Sequence, residues 1–330
     1  MVKFIIAFLI TFAIAMLFAP LVFALVKKIG AKQTILHYVK EHKGKQGTPT
    51  MGGIMIILPT IAVSLVMFTT DYTYAIISLA VFLAYAILGF LDDFIKVHYK
   101  QNLGLRAYQK IIGQLGIALV LAIFVYNTIG GEINIPFTNK TFDMGFWIIP
   151  FVILIFIATV NSVNLIDGLD GLCSSCSISY IFFFSIILML TLPQFNQALK
   201  GEMQSLIICN YSLLGALFAF LLFNNFPAKI FMGDTGSLAL GGYIASISVL
   251  SKNELLIPIL GLVFVITSLS DILQVLHYKR TKKRIFKMAP LHHHFQMSNI
   301  HENKITFAYF MVSFILNLIV CALYILRNFG

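Results

Sequence analysis

The sequence predicts an all-α polytopic membrane protein with ten transmembrane helices and both termini outside. Two observations carry that prediction. Of the 330 residues, 59% are hydrophobic and 11% charged, with a mean hydropathy of +0.92, whereas soluble domains carry roughly 25% charged residues. Uncharged runs such as Phe4–Val26 recur along the chain, long enough to cross a hydrocarbon core of about 30 Å as helices. Lipid is therefore the solvent for most of the chain, and a water-soluble class is excluded.

In order, spans are expected at 4–26, 51–69, 74–91, 111–129, 146–165, 173–192, 205–223, 237–250, 255–277 and 305–326. The first is read as a retained helix. Its apolar stretch exceeds the roughly 7–15 residues of a signal peptide, and no small-residue cleavage site follows before Lys27 and Lys28. The eighth is short and contains Gly241 and Gly242, which blur its boundaries. No period of roughly 20–50 residues and no inverted pair of broken helices is visible, so 1–330 reads as a single integral membrane domain. Cys173, Cys176, Cys209 and Cys321 include one C-x-x-C pair with no second pair at zinc spacing, and read as small apolar helix residues.

Connections after the odd-numbered spans hold 18 of the 23 Lys and Arg residues, which makes them cytoplasmic by the positive-inside preference. The even-numbered connections and both ends then lie outside. This topology accounts for the net charge of +10 without a nucleic-acid-binding domain. In the outer connection 131–144, polar and apolar residues alternate through Ile133, Ile135 and Phe137 before a turn, the pattern of a small β-hairpin.

Every conspicuous polar cluster falls in a cytoplasmic connection, which points to one composite site. Asp92-Asp93-Phe94-Ile95-Lys96 places adjacent carboxylates at a helix C-terminus, where the dipole disfavours them, so a compensating cation is expected. Asn161, Asn164, Asp167 and Asp170 are spaced by three and interrupted by Gly168 and Gly171, as where a helix opens into a tight turn able to approach a ligand. Asp234 stands in Met232-Gly233-Asp234-Thr235-Gly236 just before a helix. Its oxygen donors suit a hard cation such as Mg2+, and it is the expected metal ligand. His292, His293 and His294 follow Lys279, Arg280, Lys282, Lys283, Arg284 and Lys287. Three consecutive imidazoles cannot share one face, so this pattern suits a pyrophosphate better than zinc.

Together these segments resemble the phospho-N-acetylmuramoyl-pentapeptide-transferase family of the polyprenyl-phosphate N-acetylhexosamine-1-phosphate transferase superfamily. The resemblance spans nearly the whole chain. Its residues are His42-x-x-Lys45-x-GTPTMGG, DDFIK at 92–96, GL at 104–105 with Lys110 and Gln114, NSVNLIDGLDGL at 161–172, FNNFPAKIFMGDTGSLALGG at 223–242 and APLHHHF at 289–295. The paired aspartates are common to the superfamily, whereas GTPTMGG and HHHF carry the narrower likeness. The resemblance implies transfer of phospho-N-acetylmuramoyl-pentapeptide from UDP to undecaprenyl phosphate with release of UMP, the first lipid intermediate of peptidoglycan synthesis. It also implies a homodimer in the bacterial inner (plasma) membrane. Carried over by position, Asp234 is the magnesium ligand, Phe231 stacks on uracil, and Lys45, Asn224, Asp170 and Gly233 adjoin the uridine. Thr50, Asn161, Asn164, Asp167, His292 and His293 match further substrate-side positions. The chain departs from the pattern before His42, around Asn299 and Ile300, and in the ninth span, where Thr267 replaces an expected glutamate and Asp271 an apolar residue.

A lipid phosphate is largely dianionic at neutral pH, so positioning and charge neutralisation dominate the expected chemistry. The lipid phosphate attacks the β-phosphorus directly, with Lys96, Lys110 and the histidines balancing charge and Asp92 as base. A carboxylate nucleophile with an acyl-phosphate intermediate is the rival route. A UDP-N-acetylglucosamine-using relative is the alternative within the class. From another class, a transporter or flippase would conserve the bonds of its substrate.

Overall fold

The computed structural model describes residues 1–31, 47–68, 71–99, 104–138 and 140–329. In chain order they form α1 (Val2–Ile29), α2 (Ile54–Met67), α3 (Thr73–His98), α4 (Ala107–Thr128), β1 (Glu132–Asn134), β2 (Thr141–Asp143), α5 (Ile148–Ile166), α6 (Leu172–Thr191), α7 (Gln197–Asn224), α8 (Gly233–Leu250), α9 (Ile257–Leu260), α10 (Leu262–Thr281), α11 (Leu291–Gln296) and α12 (Glu302–Phe329). The protein is a multi-pass helical membrane protein.

Among the described residues, eight helices are long and apolar enough to cross a membrane. The other two expected spans fall on α2, with 14 residues, and α8, with 18 residues opening on Gly-Asp-Thr-Gly-Ser. At about 1.5 Å per residue α2 is shorter than the hydrocarbon core. The turn at Met51–Gly53, where Met51 has φ 69°, occupies residues the apolar run had assigned to that helix. The expected span 255–277 is interrupted: a 3-10 turn at Glu254–Leu256 leads into α9, and α10 restarts after Gly261. In contrast α7 starts earlier than its apolar run, because Asn196 Oδ1 accepts from Leu199 N at 2.9 Å and caps it. Where alternation indicated a hairpin the described residues hold a small two-stranded antiparallel sheet, Glu132 opposite Asp143, with three residues in each strand.

The bundle is organised around α8, whose residues Thr235–Leu250 are all buried. It packs most extensively against α3 and also against α5, while α7 packs on α1 and α2, and α12 on α6. The outer helices reverse the pattern of a soluble protein. On α1 the inward face is mostly small, with Ala7, Thr11, Ala15 and Ala19 buried, while Leu9, Leu17 and Leu21 point outward. In lipid, apolar surface gains little by leaving its solvent, so close packing and buried polar ties must hold helices together. Tyr243 Oη donates to Asn210 Oδ1 at 2.7 Å, Tyr180 and Ser248 share a 2.9 Å bond, and Asn317 Nδ2 donates to Ser179 Oγ at 3.1 Å. Tyr243→Phe would strand the Asn210 carbonyl in an apolar interior and is expected to cost about 1 kcal/mol. Denaturant titration in detergent micelles checks this, and an unchanged midpoint would refute it.

Candidate active site

The two aspartates of α3 and the one at the start of α8 meet because the main chains of these helices touch. A Cβ on Gly89 would collide with the Asp234 carbonyl oxygen. Gly233 has φ 73°, and a Cβ there would meet Asp93 Oδ2 at 2.5 Å and Thr50 Oγ1 at 2.9 Å. Glycine is required at both positions, by space at the first and by backbone conformation as well at the second. One oxygen from each of Asp92, Asp93 and Asp234 lies within 4.8 Å of the other two.

Each carboxylate has a different environment. Asp93 Oδ1 accepts from Asp234 N at 3.2 Å, and its Oδ2 from Thr235 N at 2.9 Å and Thr235 Oγ1 at 2.7 Å. It thereby caps the first turn of α8 from another helix, and the positive end of that dipole offsets its charge. Asp92, 2% exposed, accepts from Leu105 N at 2.8 Å. Lys96 Nζ stands 2.5 Å from its Oδ2, an ion pair and not a well-directed hydrogen bond. Asp234 Oδ2 takes both Lys96 Nζ at 2.9 Å and Lys110 Nζ at 2.8 Å. Its Oδ1 accepts from Asn164 Nδ2 at 2.8 Å, which also donates to Ser237 Oγ at 2.8 Å. The compensation demanded by aspartates at a helix C-terminus thus comes from two lysines and a neighbouring helix start.

Asn164 joins this centre to the turn after α5. That turn spans 167–171 and closes on Gly171 with φ 73°. Asp167 is half-buried, yet loss of water around its carboxyl, and then the charges of Asp234, Asp93 and Asp170, push it up to about 8. Gly168 faces the histidines: a Cβ there would strike His292 Nε2 and come within 3.2 Å of His293 Nε2. His292 is 0% exposed, and neither ring nitrogen has a hydrogen-bond partner among the described residues. Burial, then the adjacent His293, hold it well below its usual value, so it is neutral. His293 Nδ1 lies 3.1 Å from Gln296 Oε1. His294 Nδ1 accepts from Lys287 N at 3.1 Å.

The remaining expected residues form the walls. Asn161 sits one turn deeper than Asn164 and donates to Gln114 Oε1 at 2.8 Å. Thr50 and Phe231 lie on two segments that pair like strands, with Phe231 N donating to Pro49 O at 2.8 Å and Gly52 N to Phe231 O at 2.8 Å. Asn224 Oδ1 accepts from Gly171 N at 3.2 Å and Ser174 Oγ at 2.9 Å, while its Nδ2 donates to Ile230 O at 3.0 Å. Asp170 Oδ2 accepts from Ala228 N at 2.9 Å. Lys45 and His42 lie outside the described residues. Sequence reasoning missed Glu302, whose Oε1 accepts from Asp170 N at 2.6 Å, and Thr306, which donates to Asp170 O at 3.1 Å. As a first-turn acid and a helix threonine they carry no distinguishing local signal.

Three hard oxygen donors against two ammonium groups fit a divalent cation, so a metal is chemically accommodated here. The model of glycosyl transferase family 4 matches residues 74–252, and a phospho-N-acetylmuramoyl-pentapeptide-transferase signature matches residues 45–57. The phospho-N-acetylmuramoyl-pentapeptide-transferase of Caldanaerobacter subterraneus subsp. tengcongensis is 41% identical over 95% of this chain and 96% of its own length. That of Clostridium kluyveri is 44% identical over 97% of this chain and 98% of its own. The chain belongs to the phospho-N-acetylmuramoyl-pentapeptide-transferase family. It is a membrane transferase, and the charged centre, the 167–171 turn and the histidines all lie in segments that gave the family likeness.

A carboxyl held above its ordinary value is protonated in the fold over a range where the unfolded chain has lost its proton. Asp167 therefore makes the metal-free protein less stable as pH rises from about 4 to about 8. Asp167→Asn is expected to gain thermal stability over the parent on going from pH 5 to pH 8 in chelator. A gap that fails to widen would refute the assignment.

Proposed function

We propose that the chain transfers phospho-N-acetylmuramoyl-pentapeptide from its UDP carrier to undecaprenyl phosphate on the cytoplasmic face of the bacterial plasma membrane. The products are UMP and the first lipid intermediate of peptidoglycan. The observation that carries the site assignment is the meeting of Asp92, Asp93 and Asp234 with Lys96 and Lys110 at one end of the bundle. The cytoplasmic placement follows from the 18 basic residues in the connections on that side.

An oxygen of the lipid phosphate attacks the β-phosphorus, the bond from that phosphorus to the α–β bridging oxygen breaks, and UMP departs with that oxygen. Both reactants are anions, so the main work of the protein is to bring them into line and lower their repulsion. Lys96 and Lys110 stand where they can share phosphate charge with Asp234. Asp92 receives a proton when the lipid phosphate arrives as a monoanion. Asp93 positions: by capping α8 it fixes the direction in which Asp234 points. Asp234, with Asp92 and Asp93 beside it, would hold Mg2+, which supplies charge neutralisation and orientation of phosphate oxygens. By the family likeness Phe231 stacks on uracil, Asn224, Asp170, Gly233 and Lys45 serve the uridine, Thr50, Asn161, Asn164 and Asp167 serve the rest of the nucleotide substrate, and the histidines serve the pyrophosphate.

Purified protein incubated with both substrates should release UMP, and UDP-N-acetylglucosamine in place of the muramoyl nucleotide should not support release. Preference for that sugar would move the chain to the related branch, and no UMP with either would sink the reading. Asp234→Asn should lower turnover by about a thousandfold at ordinary magnesium while the protein still purifies folded. Near-normal turnover would remove its role.

A further inference from the structure

The segment that carries the histidines is gripped by α10 at two points. Ser270 and Gln274 lie one turn apart on that helix. Ser270 Oγ accepts from Leu291 N at 2.9 Å, at the start of α11, and donates to Thr267 O at 2.6 Å. The Gln274 amide makes three main-chain bonds further along. Its Oε1 accepts from Ile285 N and Phe286 N, each at 3.0 Å, and its Nε2 donates to Phe286 O at 3.1 Å. Two N–H groups on one side and a carbonyl on the other leave a single sensible orientation for the amide.

What Gln274 fastens leads directly to one histidine. The next backbone N–H, that of Lys287, donates to His294 Nδ1 at 3.1 Å, and the Phe286 ring packs against the His294 ring at 5.7 Å and 70°. An imidazole nitrogen that accepts a hydrogen bond carries no proton, so neutral His294 keeps its hydrogen on Nε2. Nothing in the local sequence signals this link, since Gln274 lies 20 positions upstream on a helix whose next turns read as apolar and basic.

We infer that Gln274 is a positioning residue that acts through the Phe286–Lys287 backbone to hold His294 as a neutral Nε2–H donor toward the glycosyl nucleotide. This rests on the reading of His294 as a substrate-side residue. The chemistry it serves is a hydrogen bond to an anionic or carbonyl oxygen of that substrate. A ring freed from the Lys287 N–H would sample the other tautomer and other rotamers, and the donor would be present for only part of the time.

A double-mutant cycle on the full-length protein tests this. Gln274→Ala and His294→Ala are each expected to lower kcat/KM for the nucleotide substrate by about tenfold, chiefly through KM. The double variant should fall no more than about twofold below His294→Ala alone. Gln274→Glu keeps both acceptor contacts but sets a carboxylate oxygen against Phe286 O, and should fall between the parent and Gln274→Ala. The cycle is repeated with Gln274→Met, which fills the same space without the three hydrogen bonds, so that loss of the fold in the alanine variant does not decide the result. Losses that multiply in the double variant overturn the inference and leave His294 its role. A silent His294→Ala overturns both.

Discussion

The close approach of α3 to α8 at Gly89 is the constraint on which the rest of the structure depends. It puts the Asp234 carbonyl where a side chain would otherwise be, and in doing so brings three carboxylates together inside a bundle whose surroundings are lipid. Charges in such a place are tolerated only with partners. Everything around them reads as partner: two lysines on Asp234, a helix start on Asp93, a loop amide and a lysine on Asp92. The turn that shortens α2 and the pairing of residues 49–53 with 231–232 bring main chain to this end of the bundle.

From that constraint follows the division of labour among residues that look alike in sequence. Asp92 and Asp93 are neighbours, yet one faces a lysine and the other ties two helices together. His292, His293 and His294 are consecutive, yet one is wholly buried against Gly168, one meets Gln296, and one is held by the Lys287 backbone. A helical turn sends successive side chains in directions about 100° apart, so adjacency in the chain guarantees difference in environment. For phosphoryl transfer, where orientation and charge do most of the work, such differences matter as much as residue type.

The membrane class, the positions of most helices and the place of the two-stranded sheet were legible in the sequence, because apolar length and alternation are local signals. Asp92, Asp93, Asp234 and Asn164 were legible too: a carboxylate or amide beside a glycine turn stands out against an apolar chain. Glu302, Thr306, Ser270 and Gln274 were not. Each acts on backbone 11 to 136 positions away, and no local pattern distinguishes it from an ordinary helix residue. The boundaries of α2 and α10 escaped for another reason. Hydropathy sees how apolar a stretch is, but not where a positive φ at Met51 or a break at Gly261 ends the helix.

The depth of the Lys96, Lys110 and Asp234 contacts bears on how the protein meets its ionic surroundings. These side chains are 32%, 18% and 16% exposed, and ions in solution screen poorly where water is scarce, although the Debye length is about 8 Å at physiological ionic strength. Lys279, Arg280, Lys282, Lys283 and Arg284 are by contrast all exposed at the end of α10. Added electrolyte therefore acts on the approach of anionic molecules to the protein while leaving the internal charge pairing almost untouched. One chain thus carries a salt-sensitive exterior and an inner charged centre that salt reaches less.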